Sequence, residues 1–238
     1  MKPPHWHFIG MKPGGSTVTV NLATAHRWGC RTSVHSEGSG QVKKAIVAIA
    51  ALVALAIAYQ LLRPKPDWDP LALTGENIIC FGDSLTSGYG ASAGKNYPAQ
   101  LSRLLGRPVI NAGVAGDTTG RALQRLEQDV LSRSPRIVLI TLGGNDLKNR
   151  IPRETAFDNL KQIVESIQDA GALVIVGGID LPLFGRGFGK GYENVGDETG
   201  AILIPDILEG IFGNRRLMSD PIHPNDDGYA LMARRFYE

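Results

Sequence analysis

From residue 74 onward, short continuous apolar runs alternate with amphipathic helical patterns, and no other feature of the chain restricts its fold as tightly. The runs lie at 77–81, 109–111, 137–142, 173–177 and 201–204. Their unbroken apolar character suits strands covered on both faces. Between them, helical spacing occupies 97–105, 118–131 and 152–170. In the last, Leu160, Ile163, Val164 and Ile167 follow the i, i+3, i+4, i+7 rule of a buried stripe. Thr118 is a capping residue, and Pro152 suits the first helical position. A final helix begins near Asn225 and sets Tyr229, Met232, Ala233 and Phe236 on one face. Strand–helix alternation of this kind predicts an α/β domain over 74–238, with a five-stranded parallel sheet between two helical layers.

The first 73 residues are unlike the rest. Residues 1–42 show neither helical nor strand periodicity and read as an unstructured leader. Lys43-Lys44 then precede an apolar run over 45–62, broken only by Tyr59 and Gln60. That length sits near the lower end of the roughly 17–25 residues a spanning helix needs. The run is either a transmembrane anchor over 43–63 or a secretory signal cut after Ala56-Ile57-Ala58. Leu61-Leu62 followed by Arg63 and Lys65 favours the anchor. Val42-Lys43-Lys44 also reads as the opening of a signal, with translation starting at Val42. Residues 1–44 carry six basic side chains against Glu37 alone, +5 of the total +2, which leaves about −3 for the remainder. The basic flank keeps the N-terminus cytoplasmic and puts the folded domain on the outer side of the membrane, or free on that side if the signal is cut. Pro64, Pro66 and Pro70 make 64–73 a stiff linker. No basic stripe with interleaved aromatics occurs, which argues against nucleic acid. Two cysteines, Cys30 and Cys80, cannot frame a disulfide scaffold, and Cys80 lies in an apolar run as a buried, inert thiol.

Ligands of open parallel sheets bind beyond the carboxyl ends of the strands. Four loops there carry small and polar residues: Gly82-Asp83-Ser84-Leu85-Thr86, Asn111-Ala112-Gly113, Gly143-Gly144-Asn145-Asp146 and Asp220-Pro221-Ile222-His223-Pro224-Asn225. Ser84 stands at a strand-to-helix turn, where a serine on its own is more often a helix cap than a nucleophile. Of five histidines, four precede the apolar run, so His223 is the one imidazole left to the folded domain. Imidazole titrates near neutrality and suits proton transfer. Asp220 can fold back to hold its second N–H, although Asp220-Pro221 is equally a plain turn opener. The N–H groups of Ser84 and Gly113 and the Asn145 amide would supply three oxyanion donors. Turn geometry explains Gly113 and Gly143-Gly144 as well, and an Asx-turn explains Asn145-Asp146.

These four blocks, in this order, resemble those of the SGNH (GDSL-type) hydrolases, most of all the bacterial arylesterase, lysophospholipase and acyl-thioesterase group. The resemblance runs from about Asn77 to the C-terminus. It implies a flavodoxin-like α/β/α fold, no metal and no cofactor, and hydrolysis of a small ester or lipid by a monomer through an acyl-enzyme. Carried over motif by motif, Ser84 is the nucleophile, Asp220 and His223 complete the triad, and Ser84, Gly113 and Asn145 form the oxyanion hole. Two departures from the family pattern, a short interval after Ile179 and an early end to the last helix, bear on the pocket and on fold strength but remove no block. Two rivals remain: a carbohydrate O-deacetylase of the same family, and a binding module whose loop 84–90 cradles a phosphate. The latter leaves Asp220, His223 and Asn145 without work. Loop 181–189, with Leu183 and Phe184, is expected to line the acyl site.

Overall fold

The computed structural model describes residues 38–62, 73–180 and 187–238, divided between two units, Met1–Leu62 and Arg63–Glu238. In the first, helix α1 spans Gly38–Leu62 and so starts ahead of Lys43, inside the stretch expected to be unstructured. Its apolar side chains over 42–55 are exposed, Ile46, Val47, Ile49, Leu52, Val53 and Leu55 at 52–68%. Among the described residues no helix is long and apolar enough to cross a membrane; the side chains of 38–40, 56, 57 and 59–62 fall outside that description. Residues 1–37 of the leader and 63–72 of the linker also lie outside the described residues.

The second unit opens with β1 (Asn77–Gly82), α2 (Ser84–Ser87), α3 (Tyr97–Leu105), β2 (Val109–Gly113) and α4 (Thr119–Asp129). It continues through β3 (Pro135–Thr141), α5 (Gly144–Lys148), α6 (Arg153–Asp169) and β4 (Leu173–Gly177). It closes with α7 (Phe188–Thr199), β5 (Ile202–Ile204) and α8 (Asp226–Tyr237). Within the sheet all strand pairings are parallel, in the order β2-β1-β3-β4-β5. That is the doubly wound order of flavodoxin-like folds, which reverses direction at β1 and so opens a crevice there.

Burial follows the sequence pattern. Central β1 loses Ile78, Ile79, Cys80 and Phe81 from solvent, whereas edge strand β2 leaves Asn111 exposed and edge strand β5 leaves Ile202 exposed. Cys80 is wholly buried, and that burial pushes its thiol pKa far up. Helices α3 and α8 pack together, and α4, α6 and α7 pack in succession. The stripe Leu160, Ile163, Val164 and Ile167 on α6 is fully buried, each side chain stabilising the fold by roughly 1.5–3 kcal/mol. On α8, Tyr229, Met232, Ala233 and Phe236 face the core as expected. In register, Gly82 pairs with both Gly113 and Thr141, so β1, β2 and β3 end level. Three of the four loops therefore start from one line.

Two helices were not legible in the pattern. Short α5 contains Asn145 and Asp146, where the sequence offers an oxyanion donor or, for local structure, no more than a cap or an Asx-turn. Helix α7 takes over only the end of the segment 181–189 expected to be loop: Gly187 caps it, and Phe188 and Gly189 are already helical. Phe188 is buried against Phe157, with ring centroids 4.8 Å apart, rather than free to line a ligand site. Glycines at 189, 191 and 196 hide the helix from propensity, since each costs up to about 1 kcal/mol there. Packing explains one of them, because a Cβ at Gly191 would overlap the Phe157 ring. Residues 181–186, including Leu183 and Phe184, lie outside the described residues.

Candidate active site

Asp83 terminates β1 and caps α2, its Oδ1 accepting the Leu85 N–H at 2.9 Å. The next residue, Ser84, therefore stands at the first position of a helix, where a backbone N–H has no intrahelical acceptor. Beneath it the Thr86 hydroxyl is shared between Thr141 at 2.5 Å and Tyr97 at 3.0 Å, which fixes α2 to β3 and α3. Gly113 comes so close to α2 that a Cβ there would overlap the Ser87 amide nitrogen. This contact needs glycine.

The late loop approaches from the far end of the chain. Met218 and Pro224 pair across it, and the Ser219 N–H donates to the His223 carbonyl at 2.9 Å. Asp220 Oδ1 accepts the N–H groups of Ile222 and His223, both at 2.8 Å. Its Oδ2 lies 2.7 Å from His223 Nδ1, and His223 Nε2 lies 3.1 Å from Ser84 Oγ. Burial raises the Asp220 pKa, but the Ile222 and His223 donors outweigh it and hold the carboxyl below its ordinary range. One face of the imidazole is covered by Tyr89, with ring centroids 4.5 Å apart, and the Tyr229 hydroxyl donates to the Tyr89 carbonyl at 2.8 Å.

The other expected residues reach the same rim but have partners of their own. Gly113 N–H donates to Asn111 Oδ1 at 2.9 Å. Asn145 Nδ2 donates to Asp83 Oδ2 at 3.1 Å and to the Asp117 carbonyl at 2.9 Å. Asp83, Asp117 and Asp146 are 2%, 5% and 0% exposed. Burial, reinforced by the two neighbouring carboxylates, pushes Asp83 up to about 7. Asp146 accepts from the Thr119 N–H at 2.9 Å and hydroxyl at 2.6 Å, which joins α5 to α4.

A guanidinium holds the frame together. Arg125 pairs with Asp117 at 2.6 Å and Asp129 at 2.9 Å, and donates to the carbonyls of Ala112 and Gly82, each at 2.9 Å. It also lies 4.3 Å from the centroid of the Phe81 ring. Sequence reasoning had given no role to Arg125, Asp117 or Tyr89. On a helix an arginine reads as an exposed basic face, and only the fold reveals that it spans two strand ends.

Residues 80–231 match the model of the GDSL-like lipase/acylhydrolase family, which is more than half the chain. The chain belongs to this family. Among GDSL relatives, the thioesterase 1/protease 1/lysophospholipase L1 of Escherichia coli K12 is 33% identical over 171 residues, 68% of this chain and 82% of that one. The arylesterase of Vibrio mimicus is 31% identical over 172 residues, 66% and 84% of the two chains. Of solved GDSL-type structures, TesA superposes with a TM-score of 0.65 at 27% identity, covering 68% of this chain and 96% of that one. AlinE4, an SGNH-hydrolase family esterase, gives 0.56 at 34% identity, covering 68% and 94%.

Proposed function

We propose that this GDSL hydrolase is a serine esterase that cleaves carboxylic esters, aryl esters and lysophospholipids among them, and acyl thioesters, through an acyl-enzyme on Ser84. The observation that carries this reading is the unbroken line from Ser84 Oγ through both nitrogens of His223 to Asp220. His223 takes the serine proton as Oγ attacks the ester carbonyl, then returns it to the leaving group. Asp220 fixes the tautomer and stabilises the imidazolium. The Ser84 and Gly113 N–H groups and the Asn145 amide bind the developing oxyanion. For the last two, the oxyanion replaces internal acceptors, a favourable exchange because hydrogen bonds to full charges are about twice as strong as neutral ones. The names of the relatives, thioesterase, lysophospholipase and arylesterase, support this substrate range.

The test uses the full chain in detergent with p-nitrophenyl esters, an acyl-CoA and a lysophospholipid. Ser84→Ala and His223→Ala should each lose several orders of magnitude in turnover. Wild-type rates in Ser84→Ala would refute the assignment.

We also infer that α1 anchors the enzyme in a bacterial inner membrane, with the catalytic domain on the periplasmic side. Support comes from the exposed apolar surface of α1 and the basic residues ahead of it. Alkaline carbonate washing should leave the chain with the membrane pellet; release into the supernatant would refute anchoring.

A further inference from the structure

The established chemistry of a serine, histidine and aspartate gives no work to Asp83, yet this residue is built at some cost. Capping α2 requires only one acceptor, which serine or asparagine supplies as well as aspartate. Neither would bring a carboxyl group into a site 2% exposed, beside the buried carboxyls of Asp117 and Asp146. The second oxygen is what distinguishes aspartate here. While Oδ1 takes the Leu85 N–H, Oδ2 takes one hydrogen of the Asn145 amide, and the Asp117 carbonyl takes the other. Asp117 is in turn clamped by Arg125, which also grips the ends of β1 and β2. The Asn145 amide nitrogen is thus located relative to Ser84 by two acceptors, one of them the residue directly before the nucleophile.

We propose that Asp83 is a positioning residue for the reaction: its Oδ2 keeps hold of one Asn145 amide hydrogen while the other turns from the Asp117 carbonyl to the oxyanion that forms on the carbonyl attacked by Ser84. This rests on the esterase reading above. It also assigns separate jobs to the two oxygens, the helix cap to Oδ1 and the amide to Oδ2.

The separation makes the test clean. Asp83→Ser keeps a cap but cannot reach Asn145. In the full chain, its kcat on a p-nitrophenyl ester should fall about 10–100-fold, with KM within about twofold and Tm within a few degrees. This is smaller than the loss of about 10²–10³ seen when an oxyanion donor is deleted outright. The double variant with Asn145→Ala should be no slower than Asn145→Ala alone, because both changes remove one interaction. A kcat for Asp83→Ser within twofold of wild type would overturn the proposal, and so would losses that simply add in the double variant. Should the serine variant lose its fold, the isosteric Asp83→Asn carries the same cycle, since its single acceptor cannot serve both donors. Ser84→Ala in the same series separates the two levels. An active Ser84→Ala refutes the esterase reading itself, whereas an inactive one beside a fully active Asp83→Ser refutes only the role of Asp83.

Discussion

Asp220 holds His223 twice, through the backbone N–H at 2.8 Å and through ring Nδ1 at 2.7 Å. The imidazole is therefore oriented by a residue only three positions away, within one loop. No long-range packing is needed to set its tautomer.

Asp220→Asn should separate these two functions. Its oxygen can still accept the backbone N–H groups, but its NH2 then meets Nδ1 and selects the wrong tautomer. A fall in kcat of about 10³–10⁴-fold is expected, with KM little changed. Steady-state kinetics on a p-nitrophenyl ester checks this, and a loss below tenfold would count against Asp220.

Arg125 has a structural consequence. Arg125→Met strands the buried Asp117 carboxylate and removes a charged donor from the Gly82 and Ala112 carbonyls, Gly82 keeping only the Val114 N–H. A loss of about 3–5 kcal/mol follows. Lysine should restore only part of it, because an ammonium cannot reproduce the planar fork. Urea midpoints at constant m-value measure both variants.

Asp83 gives stability a pH dependence. Burial pushes its pKa to about 7, against 3.8 for an unperturbed aspartate. Between those values the folded chain holds a proton that the unfolded chain has lost, so this residue's contribution falls as pH rises across the window and levels off above it. Asp220, whose pKa is lowered, works the other way: its contribution is full above the ordinary carboxylate range and is lost as pH falls. Asp83→Asn removes the first effect. The Tm difference, variant minus wild type, should be more positive at pH 8 than at pH 5, and calorimetry showing equal differences would contradict the protonated state of Asp83.

We propose that Leu183 and Phe184, which the sequence sets between Asp180 and Gly187, select the acyl chain. Phe184→Ala should shift the preferred chain length in a series of p-nitrophenyl esters. An unchanged profile would remove the segment from the acyl site.

Much of the architecture was legible because each buried strand is a continuous apolar run and each long helix carries a regular stripe. Cap residues helped too, with Thr118 and Asn225 both starting helices as expected. Helix α7 escaped because its stability comes from Phe188 and Tyr192 packing on Phe157, not from its glycine-bearing sequence. The four loops were legible as motifs. What lay beyond the sequence was how their donors are engaged, with the Gly113 N–H turned to Asn111 and the Asn145 amide to Asp83 and Asp117. These are distances across the fold, and no spacing along the chain encodes them.

The nucleophile can be tested directly by covalent trapping. The full chain is treated with an alkyl p-nitrophenyl phosphonate and digested, and the peptides are mapped by mass spectrometry. The predicted result is a single phosphonyl adduct on the peptide containing Ser84, formed in step with the loss of esterase activity and absent from Ser84→Ala. An adduct elsewhere that accompanies inactivation, or an active enzyme carrying a fully modified Ser84, would contradict it.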